Sequence, residues 1–127
     1  MMSRHPFMEE SARRCIEEVQ SVAGVTACAL VSDEGRVLGK HFPKGDLTSS
    51  LFAAMCATVL ASAEAACGSV GVDRPFQITV ASSDATIFIM GVEEATLITA
   101  IIDISADLPA VLKKLLDIAA RIREEEA

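Results

Sequence analysis

Residues 47–67 read LTSSLFAAMCATVLASAEAAC and contain a single charged side chain, that of Glu64. Apolar and small residues recur there in steps of three or four, which predicts one long α-helix with two apolar stripes. The first stripe is formed by Leu47, Leu51, Ala54, Thr58, Ala61 and Ala65. The second stripe is formed by Phe52, Cys56, Val59, Ala63 and Cys67. We expect the bulkier second stripe to face the core of the chain. The small residues of the first stripe would allow close approach of the same helix in a second copy.

Length and charge limit the classes of protein that the chain can represent. With 127 residues, 51% of them hydrophobic, residues 1–127 are expected to form one domain. A net charge of −7 and the lack of Trp and Tyr argue against nucleic-acid binding. Residues 1–7 have no apolar signal-peptide core, and residues 47–67, although long enough to span a bilayer, are largely Ala, Ser and Thr. We therefore expect a cytoplasmic protein without membrane insertion.

The first half of the sequence predicts a helix, a hairpin and the long helix. An amphipathic pattern follows Pro6 and stops at Gly24, as is typical of a helix with a glycine end. Residues 25–32 are apolar on both faces, and the turn at residues 33–35 leads into a second strand at 36–40. Asp46 is the expected N-cap of the long helix, and Gly68 and Gly71 are expected to end it.

The second half predicts three strands and a last helix. Pro75 precedes a strand at residues 76–82, which we expect at the edge of the sheet because proline lacks the N–H that a ladder needs. Strands at 86–91 and 95–102 complete an antiparallel meander, and a helix capped by Asp107 follows, with residues 123–127 expected to fray. The order α-β-β-α-β-β-β-α predicts an α/β fold, a three-layer α/β/α sandwich. Its five-stranded antiparallel sheet would lie between the long helix and the two terminal helices.

No arrangement of residues in the sequence predicts catalysis or metal binding. His5 and His41 have no metal-ligand partner at helical spacing, and no phosphate loop or nucleophile elbow occurs. The cysteines stand in apolar runs at separations that match no zinc or redox motif, which favours small reduced core residues; they are Cys15, Cys28, Cys56 and Cys67. We therefore expect no catalytic, cofactor or metal site, and the long helix favours a binding or assembly protein that is not an enzyme.

Three stretches carry a family resemblance. They are VAGVTACALVSDEGRVL at residues 22–38, LFAAMCATVLASAE at residues 51–64, and ATLITAIID at residues 95–103 followed by ADL at 106–108. In this order they resemble the Roadblock (dynein light chain roadblock-type) domain over about residues 8–123. The resemblance implies a profilin-like fold.

The resemblance also implies how two copies would associate. In the family, the long helices of a homodimer pack on each other and the third strands pair edge to edge into one continuous sheet. This would place the first stripe of the long helix at the interface, together with Gln77 and Thr79 of the third strand. It agrees with the small residues of that stripe and with an edge strand after Pro75.

The function that the resemblance implies is binding of a small Ras-like GTPase. Family members act as non-catalytic partners of such GTPases, as GTPase-activating proteins, and as scaffolds. The expected contact is the remaining, weakly polar stripe of the long helix, formed by Ser50, Ala53, Ala57 and Glu64. No arginine lies in or near the long helix in the sequence, so any stimulated hydrolysis would come from reshaping the GTPase. Two alternatives stay open: a structural dimerisation module of another complex, and a small-molecule sensor with a pocket between sheet and helix.

Overall fold

Three helices and five strands make up the part of the chain that the structure describes, residues 9–43, 48–93 and 95–126 of a computed structural model. The helices are α1 (Glu9–Gln20), α2 (Ser49–Ser69) and α3 (Leu108–Glu126). The strands are β1 (Val25–Ser32), β2 (Val37–His41), β3 (Ile78–Ala81), β4 (Ala85–Glu93) and β5 (Thr96–Asp103). The predicted order of elements is confirmed.

All strand pairs are antiparallel, and the sheet order is β2-β1-β5-β4-β3. β5 therefore lies at the centre, with β1 on one side and the β3–β4 hairpin on the other. The predicted meander of the last three strands is confirmed, and so is the edge position of β3. This strand is shorter than the predicted 76–82. Phe76 lies before its first residue and has 71% of its surface exposed.

The strands separate two hydrophobic cores because successive side chains point to opposite faces of the sheet. On β1, Cys28 and Leu30 pack with α1 and α3 in the first core, whereas Ala29 and Val31 pack with α2 in the second core. Six of the eight residues of β1 are buried, as expected for a strand covered on both faces. The three-layer sandwich is confirmed.

Helix α2 packs on the sheet partly as predicted. Cys56 of the bulkier stripe is buried and Phe52 is partly buried against the second core, but small residues outside that stripe are buried as well. The buried residues of the helix are Ser49, Ala53, Cys56 and Ala57. Val59 of the bulkier stripe is instead 38% exposed. The reason is steric: alanines let the helix backbone lie close to the sheet and to the β1–β2 turn. There, a Cβ added to Gly35 would lie 3.2 Å from the Cα of Ala54.

Both ends of α2 are held by specific contacts. The rings of Phe42 and Phe52 meet edge to face with centroids 5.6 Å apart, which links the end of β2 to the first turn of the helix. At the other end, Gly71 adopts a left-handed φ of 75°, as expected for the helix stop. The predicted N-cap, Asp46, lies outside the described residues, and Thr48 precedes the first helical residue without a side-chain cap.

The terminal helices close the opposite face of the sheet. Asp107 accepts a hydrogen bond from the backbone N–H of Ala110 at 3.3 Å, which confirms it as the cap of α3. The last helix continues to Glu126, beyond the point where fraying was expected. An ion pair between Arg14 of α1 and Glu125, 3.4 Å apart, ties its end to the first helix.

Candidate interaction surfaces

The outer face of α2 carries large apolar side chains that nothing in the described chain covers. Leu51 is 62% exposed, Met55 is 52% exposed and Val59 is 38% exposed. They follow one another at steps of four, so they form one continuous stripe along the helix. We call these three residues the exposed stripe. Such a run of apolar surface is typical of a contact site.

Most of the residues predicted for a dimer interface are accessible in the single chain. Leu51, Thr58, Ala61 and Ala65 are exposed on α2, and Thr79 is exposed on β3. Ala54 is half-buried beside the β1–β2 turn, and Gln77 is half-buried just before β3. Leu47 lies outside the described residues. The sequence reasoning missed Met55 and assigned Val59 to the core, although both continue the four-residue spacing that begins at Leu51.

The stripe predicted to contact a GTPase is split by the structure. Ser50 is exposed and Glu64 is half-buried. Ala53 is 0% exposed and Ala57 is 9% exposed, because both belong to the second core between α2 and the sheet. The prediction that these two alanines lie on a solvent-facing stripe is therefore wrong, and neither is available to a partner.

Arg74 corrects a second expectation from the sequence. The loop after α2 folds back so that its guanidinium Nη2 lies 3.5 Å from the carboxylate Oε2 of Glu64. The side chain of Arg74 is 69% exposed. An arginine thus lies beside the long helix, although none is close to its middle in the sequence.

The edge of the sheet at β3 offers a second surface for association. β3 pairs with β4 through four residues on one side, and no strand of the described chain pairs with its other side. Val80 is 42% exposed on the strand. An edge strand with free backbone donors and acceptors can add a strand from another chain.

The face formed by α1 and α3 is different in character because it carries ion pairs between the helices. Arg121 of α3 pairs with Glu18 of α1, and Arg14 of α1 pairs with Glu125 of α3. These charged groups lie at the surface and are already partnered. The contrast with α2, where Glu64 is the one charged residue of the helix, indicates which side of the sheet is suited to apolar contact.

Three of the four cysteines are buried in the cores of the domain. Burial raises the pKa of the Cys15 thiol and of the Cys28 thiol to about 12, and burial also raises the pKa of Cys56. The Cys56 sulfur lies 3.3 Å from the Thr99 hydroxyl under α2. Because a thiolate is the reactive form, these three cysteines are poor nucleophiles. Cys67 is half-buried.

Neither histidine brings a metal site into the described region. His41 ends β2 and is half-buried. His5 lies outside the described residues. Within residues 9–43, 48–93 and 95–126, no three His, Cys, Asp or Glu side chains come together in a group that could hold a metal ion.

Helix α2 is also long and apolar enough to cross a membrane by length and composition alone. Its most apolar 18-residue window has a mean hydropathy of 1.6, and 17% of that window is buried. One such helix is weak evidence for a span, because helices packed in a domain can meet the same criterion. Here its inner side contributes to the second core, which favours the packed role.

Comparison with known proteins identifies the family and the fold. Residues 12–102 match the sequence model of the Roadblock/LC7 domain. No curated protein sequence matches the chain. Among solved structures, the gliding protein MglB of Thermus thermophilus is similar with a TM-score of 0.80 and 22% identity, covering 98% of this chain and 96% of that one.

Two further structures place the fold more broadly. An MglB described with a tetrameric arrangement has a TM-score of 0.79 and 22% identity, covering 100% of this chain and 96% of that chain. Profilin II of Acanthamoeba castellanii has a TM-score of 0.66 and 11% identity, covering 91% and 99%. At these identities the likeness concerns the fold, and the profilin-like architecture is confirmed. With its family model matching most of the chain, the protein belongs to the Roadblock/LC7 domain family.

Proposed function

We propose that this protein is a non-catalytic homodimeric regulator or scaffold that binds a Ras-like small GTPase in the cytoplasm. The observation that carries the proposal is the exposed stripe on α2, Leu51, Met55 and Val59, in a domain of the Roadblock/LC7 family. Family members of this kind partner small GTPases. The solved structures similar to this chain include MglB proteins, one of them in a tetrameric arrangement.

The first step of the proposal is self-association through α2. In an isolated protomer the exposed stripe faces water, and covering it with its own copy would remove apolar surface from both chains at once. Thr58, Ala61 and Ala65 lie near the stripe and are small, which would let two helices come close. The same dimer would also pair the β3 edges, with Gln77 and Thr79 at that contact, as the family resemblance implies.

The second step is the GTPase contact. Ser50 and Glu64 stay in the proposed surface because they are accessible at the two ends of α2, whereas Ala53 and Ala57 do not. In this proposal the protein itself is not an enzyme, so any effect on GTP hydrolysis would be exerted on the active site of the partner. A GTPase-activating role is one form of the proposal, and a scaffolding role is the other.

The test is affinity capture from the native cell, with the tagged protein and either GDP or a non-hydrolysable GTP analogue added to the lysate. A small GTPase enriched in one nucleotide state is the expected result. Ser50→Arg should reduce this capture because the new side chain stands at the proposed contact and is tolerated by an exposed position.

The matched control is Gln20→Arg on the exposed surface of α1, which should capture the GTPase as well as the wild type. Capture of another complex without a GTPase in either nucleotide state would replace this proposal with the structural dimerisation module. Equal capture by Ser50→Arg would move the contact away from the start of α2.

A further inference from the structure

A crevice lies between the C-terminal half of α2 and the hairpin formed by β4 and β5. Its volume is about 340 Å³. The turn after β1 contributes Asp33 to its wall, and the loop after α2 contributes Arg74. Four separate segments of the chain thus converge on one opening. Three residues that were predicted for an interface belong to its lining: Ala57, Ala61 and Glu64.

The charges around the crevice are unbalanced. Among the described residues, the carboxylates of Asp33, Glu64 and Glu93 line it together with the guanidinium of Arg74, and Glu64 and Glu93 each already have an interaction partner. The Arg74 guanidinium lies 3.5 Å from Glu64 while most of its side chain stays in solvent. The pair shows that a carboxylate of this lining can hold a guanidinium, and the excess negative charge favours a further cation.

The rest of the lining is apolar, apart from the hydroxyl of Thr96. Leu60 and Ala61 of α2 face Leu97 of β5 across the opening. Thr96 also belongs to the lining, is 3% exposed, and its hydroxyl has no hydrogen-bond partner within the described part of the chain. An N–H donor that reached the floor of the crevice would supply the missing bond.

We propose that this crevice binds a lysine or arginine side chain presented by a protein partner. The aliphatic stem of such a side chain packs on the apolar walls, and its charged head meets the carboxylates, which is how long basic side chains divide between apolar and polar surroundings. The net charge of −7 on the whole chain favours association with basic partners in general. The site does not depend on the partner being a GTPase.

Gly91 provides a way to close the crevice without altering its charge. It lies on β4 opposite Leu97 and lines the opening, and a Cβ added to it meets no heavy atom within 4 Å. Gly91→Leu therefore starts its side chain in open space at the lining, and we expect the added bulk to narrow the crevice. Gly68→Leu is its matched control, because Gly68 also has open space around an added Cβ but lies outside the lining.

The experiment is a titration of the intact protein with n-butylguanidinium, followed by backbone amide shifts in NMR spectra. We expect saturable shifts centred on Asp33, Gly91 and Leu97, and much smaller shifts with n-butylurea, the neutral analogue. Glu93→Gln should weaken binding about three- to fivefold, as expected for loss of one partly exposed charge partner, whereas Glu34→Gln in the neighbouring turn should not. Gly91→Leu should abolish the shifts and Gly68→Leu should preserve them.

A second titration separates a partner's side chain from a free metabolite. The peptide acetyl-Gly-Arg-Gly-amide should bind at least as tightly as free arginine, because a site for a partner's side chain recognises the guanidinium and its aliphatic stem and does not use a free α-ammonium or α-carboxylate. Tighter binding of free arginine would overturn the protein-partner assignment. Equal shifts with butylguanidinium and butylurea, or unchanged binding in Gly91→Leu with its fold verified by thermal unfolding, would overturn the cation site itself.

Discussion

Replacing Met55 by glutamate should separate the proposed homodimer into folded protomers. Full burial of a methionine side chain contributes about 1.5 to 3 kcal/mol. Met55 is 52% exposed in the single chain, so burying that exposed half at the interface contributes about 1 kcal/mol in each copy, or about 2 kcal/mol for the two copies. Desolvation of an unpaired carboxylate adds a cost of a few kcal/mol. A total near 4 kcal/mol corresponds to about a thousandfold weaker association.

The same substitution should leave the protomer intact because half of the Met55 side chain already meets water. Ala57→Glu, only two residues further along α2, is the contrasting variant. Ala57 is 9% exposed and packs in the second core, so a carboxylate there should unfold the domain. Ala61→Glu, at an exposed position of the first stripe, should behave like Met55→Glu.

Sedimentation velocity at micromolar concentration measures the association, and circular dichroism during heating measures the fold. The expected pattern is a dimer for the wild type, folded monomers for Met55→Glu and Ala61→Glu, and an unfolded chain for Ala57→Glu. A wild type that sediments as a monomer would refute self-association. A Met55→Glu variant that remains a dimer would show that the interface lies elsewhere.

Three further outcomes are expected. Since burial raises the pKa of Cys15 and Cys28 from 9.0 to about 12, both thiols stay protonated in the folded state while the unfolded chain loses their protons above pH 9. Over the pH range between these two pKa values, the free energy of unfolding should therefore fall by about 1.4 kcal/mol per pH unit for each thiol. When urea titrations are repeated across this range, the variant with both Cys15 and Cys28 replaced by alanine should lose less of its free energy of unfolding per pH unit. Gly24→Ala should destabilise the domain in urea by about 1 to 3 kcal/mol, because its φ is 101° and its Cβ would lie 2.6 Å from that of Ala106; Gly68→Ala, within α2, should instead stabilise it by about 0.5 to 1 kcal/mol. If a captured GTPase is stimulated, Arg74→Ala should lower its hydrolysis rate by less than about tenfold, and a loss near the 10³-fold of an arginine finger would show that Arg74 donates charge to the partner.

The order and spacing of the elements could be predicted because each depends on local signals. Gly24 and Gly35 adopt φ of 101° and 90° at the turns where the sequence placed them, and Asp107 caps α3. The resemblance to the Roadblock family extended this to a profilin-like fold, which the comparisons confirm. The full strand order of the sheet was not predicted and comes from the structure.

The orientation of α2 about its own axis could not be predicted from spacing alone. The helix is so uniformly apolar that several rotations bury similar area, and hydrophobicity did not distinguish them. In the structure Ala53, Cys56 and Ala57 are buried against the sheet, whereas Leu51 and Met55 are exposed. Cys56 was expected on the inward side, but Ala53 and Ala57 were expected to face solvent.

The position of Arg74 depends on the path of the loop after α2, which no sequence pattern describes. The fold-back places it beside Glu64, ten residues earlier, and creates one wall of the crevice. The signal available in the sequence was Gly71, whose left-handed conformation reverses the chain after the helix.

The uneven distribution of charge over the two sides of the sheet has a consequence for solution conditions. Added salt screens the ion pairs between α1 and α3, but it finds almost no charge to screen along α2. Contacts made by the exposed stripe should therefore resist high ionic strength, strengthen in sulfate, and weaken on cooling, as expected when apolar hydration drives association. Temperature should therefore act mainly on the contacts that α2 makes with another chain, whereas salt should act mainly on the ion pairs between α1 and α3.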